Sequence, residues 1–118
     1  MSWTYKGNTM VDITQFPENT YGFVYINKHI PSGKSYIGKK VLQFTKKVKL
    51  GKKDEFERTI LKCVPNKKSL TYFEIKYQML YQVLERPDEF FNDNILGKFF
   101  TKDLEDVEYE DPLEIKIH

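Results

Sequence analysis

Two tyrosines, Tyr25 and Tyr36, stand eleven residues apart in a chain of 118 residues, the second of them within a lysine-rich stretch. From Lys28 to Lys68 there are thirteen Lys or Arg against three Asp or Glu, whereas Glu85 to His118 holds four against eleven. Phenol hydroxyls hydrogen-bond water and phosphate oxygens, and a basic half attracts a polyanion whose binding releases counterions and weakens with salt. The plainer alternative is a solvated lysine face that neutralises the acidic end of the same chain. Other chemistries find no support. His29 and His118 make no metal-ligand spacing with Cys63, and no glycine loop is present to cradle a nucleotide phosphate.

The tyrosines need a scaffold, and the residues around them read as a β-hairpin. Tyr21 to Lys28 is rich in aromatic and β-branched types, with Phe23, Tyr25 and Asn27 on one face and Val24, Ile26 and Lys28 on the other. Ser35 to Leu42 reads as a second strand, and His29 to Lys34 supplies the Pro and Gly of a turn. A third strand is predicted over Phe56–Val64, ended by Pro65-Asn66; Arg58 falls in it and reads first as a paired sheet residue. Leu70, Phe73, Tyr77, Leu80 and Leu84 recur at steps of three and four, which predicts a helix over 70–84 with its apolar stripe on the sheet. Ser69 or Thr71 is positioned to cap its start. Thr71 and Glu74 fit a capping box, in which Glu74 only satisfies a backbone donor.

Phe23-Val24-Tyr25 followed by Tyr36-Ile37-Gly38 resembles the paired half-motifs of the GIY-YIG nuclease family, most closely its small phage members of the free-standing homing-endonuclease type. The resemblance covers roughly residues 21–98. It implies an α+β fold with a small three-stranded antiparallel sheet flanked by helices, and metal-dependent hydrolysis of a DNA phosphodiester. It also implies roles. Glu74, placed as in SLTYFEIKYQ, would hold one magnesium or manganese ion; Tyr25 would orient or deprotonate the attacking water; Tyr36 would bond a phosphate oxygen or the water. Lys39 or Lys40 would be the cation beside Tyr25, and Asn92, with Asn94 in reserve, would support the site. Lys40, Lys46, Lys47, Lys49, Lys52 and Lys53 would bind backbone phosphates of duplex DNA. One departure stands out: the segment after the second strand is short and holds lysines where the family has an arginine. That departure keeps a second reading open, a nuclease-derived protein that no longer cleaves and instead occupies DNA or blocks a host protein.

The length bounds the organisation to one domain over residues 1–118: an N-terminal arm to residue 20, a core over 21–100 and an acidic tail over 101–118. In the arm, Trp3, Met10, Ile13 and Phe16 are expected to pack on the domain's edge, Trp3 as an anchor rather than a base-stacking platform. Residues 103–111 carry six acids in nine and read as mobile or loosely docked, and Leu113–Ile117 reads as an edge strand. Cys63 reads as a small buried hydrophobe. With a single cysteine and no apolar run long enough for a membrane span, a soluble cytoplasmic protein is expected, in the host cell's cytoplasm if the chain is phage-encoded as the resemblance implies.

Overall fold

The computed structural model describes residues 3–10, 13–42 and 55–107. The lysines at 46, 47, 49, 52 and 53 and the strand expected over 113–117 lie outside these residues. Two strands open the chain, β1 (Trp3–Tyr5) and β2 (Asn8–Met10), and a 3-10 turn over Ile13–Gln15 follows them. The hairpin pairs β3 (Gly22–His29) with β4 (Ser35–Val41), and β5 (Phe56–Val64) lies on the other side of β3.

The expected antiparallel trio is thus present, with β3 at its centre, but the sheet has five strands in the order β2-β1-β5-β3-β4. The arm does more than pack on an edge. Its hairpin adds β1 alongside β5 in parallel, so the sheet is mixed rather than purely antiparallel. A tight Lys6-Gly7 turn, both residues at positive φ, makes this hairpin possible, and β1 covers what would otherwise be a bare edge of β5.

The one α-helix among the described residues, α1 (Lys67–Leu80), begins three residues before the predicted start. Asn66, not Ser69 or Thr71, is its N-cap: the Asn66 side-chain oxygen accepts from the Ser69 backbone N–H at 2.8 Å. The helix also stops four residues early, in a Schellman closure. Gln82 takes a left-handed φ of 55°, Val83 N–H donates to Gln78 C=O and Gln82 N–H to Met79 C=O. This turn folds Val83 and Leu84 under the core while leaving Leu80, expected on the covered stripe, 58% exposed.

Each face of the sheet has its own apolar cluster. Val24, Ile37, Val64, Leu70, Val83, Leu84, Phe90 and Ile95 form the one under α1, and Leu104, in a 3-10 turn over Thr101–Leu104, packs against it. The first residues of the acidic tail are therefore docked. Trp3, Met10, Phe16, Phe23 and Ile60 form the cluster on the opposite face. Gly22 permits the close approach of α1, because a Cβ there would lie 2.6 Å from Lys40 O and 2.8 Å from Leu70 Cδ2. A short hairpin of β6 (Asn94–Ile95) and β7 (Phe99–Phe100) completes the described chain.

Candidate active site

The pleat places Tyr25 and Tyr36 on the same face of β3 and β4, with ring centroids 6.4 Å apart. Gly38, the partner of Tyr25 across the ladder, makes room for them: a Cβ at Gly38 would sit 2.7 Å from Tyr25 Oη and 2.7 Å from Tyr36 Cε1. Trp3 fixes the ring of Tyr25 from the other side, in an edge contact with centroids 5.1 Å apart. At 3% exposure Trp3 is a packing anchor, with no ring face open to a base. Tyr36, by contrast, is 41% exposed.

Glu74 reaches this site from α1, around the free edge of β4. Because Asn66 caps the helix, the box between Thr71 and Glu74 does not form, and both side chains are available for other partners. Lys39 takes them up: its Nζ donates to Thr71 Oγ1 at 3.0 Å and lies 3.7 Å from Glu74 Oε1. The Glu74 side chain is only 15% exposed, and burial raises its pKa above the usual carboxylate value while Lys39 pulls it back down. Tyr25 is pushed up as well, first by burial, then by Tyr36 and by the negative charge of Glu74, against which Arg58 acts in the opposite direction. The cation that pulls the Tyr25 value back down is Arg58 of β5, whereas Lys39 pairs with Glu74. Lys40 lies exposed on β4, opposite Phe23.

The outer edge of β4 is closed by side chains. At the start of the edge the backbone of residues 89–91 pairs with Ser35: Phe91 N–H donates to Ser35 C=O at 2.8 Å and Ser35 N–H donates to Glu89 C=O at 2.9 Å. Two residues on, Asn92 substitutes for a strand. Its Oδ1 accepts from Ile37 N–H at 3.0 Å and its Nδ2 donates to Ile37 C=O at 2.9 Å, while Gln78 Nε2 donates to the same carbonyl at 3.1 Å. Asn92 is 5% exposed, so it acts by holding the backbone between Tyr36 and Gly38 rather than by touching a ligand. Asn94 instead turns the chain, accepting from Gly97 N–H and donating to Asp93. Gln78 was not foreseen, because a glutamine within a helix reads as solvent-facing until its partner on a bare strand edge is known.

Tyr36, Lys39, Glu74, Gln78, Asn92 and Asp93 contribute to the lining of a cleft of about 360 Å³ along this edge. A family model described as "Putative endonuclease segE, GIY-YIG domain" matches residues 3–55, the stretch that carries β1 to β4 and both tyrosines. Over this stretch, 53 of the 118 residues, the chain is similar to the GIY-YIG nuclease family. No curated protein and no solved structure matches the chain. The tyrosine pair lies within the matched residues, while Arg58, Glu74 and Asn92 lie beyond them.

No group of three or more His, Cys, Asp or Glu side chains gathers among the described residues. A magnesium-like ion does not require one, since it keeps several waters and is commonly held by one or two carboxylates together with substrate phosphates. Glu74, half-sequestered in a cleft that Asp93 also lines, fits that habit. No helix of the described residues is long and apolar enough to cross a membrane.

Proposed function

We propose that the chain is an endonuclease that hydrolyses a phosphodiester of duplex DNA with the help of one divalent cation. The observation that supports this is that Tyr36 and Glu74 line one cleft, with the Tyr25 ring 6.4 Å from that of Tyr36. Glu74 would hold the ion, which when bound supplies positive charge to the phosphate and the leaving oxygen. The chain's own groups do the rest. Tyr25, neutral in the resting protein, orients the attacking water through its hydroxyl, and takes the water's proton only after its own has gone to solvent. Tyr36, open to solvent, donates to a phosphate oxygen. Lys39 holds Glu74 in place before the ion arrives and supplies a positive charge beside the substrate afterwards. Lys40, with the lysines at 46, 47, 49, 52 and 53, provides the sequence-independent attraction to the backbone.

Incubating supercoiled plasmid with the protein in magnesium, in manganese and in EDTA tests the proposal. Nicked and linear products should appear with either metal and be absent in EDTA. Intact plasmid under all three conditions, at protein concentrations that bind the DNA, would leave the protein as a binder on a nuclease scaffold.

A further inference from the structure

Trp3, Arg58, Asn27 and Tyr36 are successive register partners across β1, β5, β3 and β4. Cross-strand partners share a face, so these four side chains form one row, on the face that carries Tyr25. Three adjacent members of the row each have a buried polar atom without a hydrogen-bond partner: Trp3 Nε1, Arg58 Nε and Asn27 Oδ1. Folded proteins leave few such atoms, and each one costs stability unless something binds it. Three in one row, beside the tyrosine pair, point to a ligand.

Arg58 decides the class of that ligand. The chain has two arginines, and Arg86 is committed to Glu89 and to the Tyr81 carbonyl. The Arg58 guanidinium lies over the Trp3 ring at 5.6 Å and forms no ion pair among the described residues. A half-buried guanidinium beside an indole N–H suits an anion with paired oxygens, such as the two non-bridging oxygens of a phosphodiester, and a half-turn of the Asn27 amide adds a third donor. Residues 43–54 contain lysines and no arginine, so no guanidinium comes from there.

We propose that this row is a phosphate subsite, in which Arg58, with Trp3 Nε1 and Asn27, receives one backbone phosphate next to Tyr25 and Tyr36. The assignment rests on nucleic acid being the ligand, but not on cleavage. Arg58 is then a substrate-binding residue supplied by the third core strand. Lysine does not replace it, because an ammonium offers a point charge without the planar fork.

Trp3 is the only tryptophan, so its emission reports on the row directly. The full chain is titrated, in EDTA to silence cleavage, with a mixed-sequence 20-base-pair duplex and separately with inorganic phosphate. Wild type should show a saturable change in Trp3 emission with both. Arg58→Lys and Arg58→Gln should lose that change and bind the duplex about tenfold or more weakly, whereas Lys98→Gln, a loss of charge elsewhere, should match wild type. Near-ultraviolet dichroism checks the fold of each variant. Wild-type affinity and emission change in Arg58→Lys would overturn the subsite, as would unfolding of both Arg58 variants, which would make Arg58 a packing residue. The nuclease reading fails separately: wild type that shows the Arg58-dependent emission change but never nicks DNA in magnesium or manganese supports the subsite and refutes the enzyme.

Discussion

At the scale of single residues, the site is governed by opposing shifts on groups that sense one another. Burial and Glu74 raise Tyr25 above its ordinary value of 10, so in the free protein the phenol is neutral at physiological pH and acts first as a hydrogen-bond donor. If the phenolate takes the water's proton, the single-turnover cleavage rate should climb steadily from pH 7 to beyond pH 10. A plateau near pH 7–8 would assign the base to another group. Glu74 behaves as a carboxylate whose folded-state pKa is raised above 4.5. Its protonated form is favoured by folding, so its contribution to stability is full below that ordinary value and is lost as pH rises through the raised one. Metal binding needs the carboxylate and follows the opposite course, falling on acidification at a pH above the ordinary range. Manganese titrations monitored by water relaxation across pH 4–8 would show this. In the same assay Lys39→Met should bind manganese more tightly, because the ammonium at 3.7 Å competes with the ion for Glu74. Cys63 is half-buried and its thiol is pushed up by burial, so a thiol reagent should modify it slowly at neutral pH.

At the scale of elements, β4 is the fragile part, an edge strand whose outer polar groups are met by side chains from two other segments. Asn92→Ala removes the one partner of Ile37 N–H and one of the two partners of its C=O, and should cost about 2–3 kcal/mol in denaturant unfolding. Asn92→Asp should be worse than Asn92→Ala in activity, since a carboxylate keeps the bond to Ile37 N–H but faces the Ile37 carbonyl with negative charge. Equal activity in the two would mean that Asn92 contributes nothing to the register of Tyr36 and Gly38. Gly38→Ala should depress cleavage far more than stability, because the added methyl meets the reactive end of Tyr25 at 2.7 Å.

Much of this arrangement was legible beforehand: alternation and turn chemistry located β3, β4 and β5 to within a residue or two, and the family resemblance gave both tyrosines roles in one site. The helix was located by its stripe but not bounded. Asn66 read as the end of a strand when it was the start of α1, and a non-glycine residue in the left-handed region gave no signal of the stop at Leu80. Gln78, Asn92 and Arg58 depend on which residues lie across a strand edge or ladder, and that information is tertiary. The parallel pairing of β1 with β5 is of the same kind, since three-residue strands carry too little alternation to announce a partner.

At the scale of the whole molecule, charge is divided along the chain, with a strong positive balance from Lys28 to Lys68 and a negative one from Glu85 onward. Duplex binding should therefore be weakly sequence-dependent and fall steeply as salt rises; a flat salt dependence would remove nucleic acid as the ligand. The N-terminal hairpin and the three core strands bring Trp3, Arg58 and the tyrosines to one face, and α1 brings Glu74 to the edge of that same surface. The most direct measurement is plasmid nicking by Glu74→Gln beside wild type, in magnesium, at concentrations that give equal DNA occupancy. The variant keeps the side chain's size and removes its charge. The account predicts nicking by wild type and a loss of two orders of magnitude or more, about 3 kcal/mol of transition-state stabilisation, in the variant. Nicking by Glu74→Gln at the wild-type rate would contradict it.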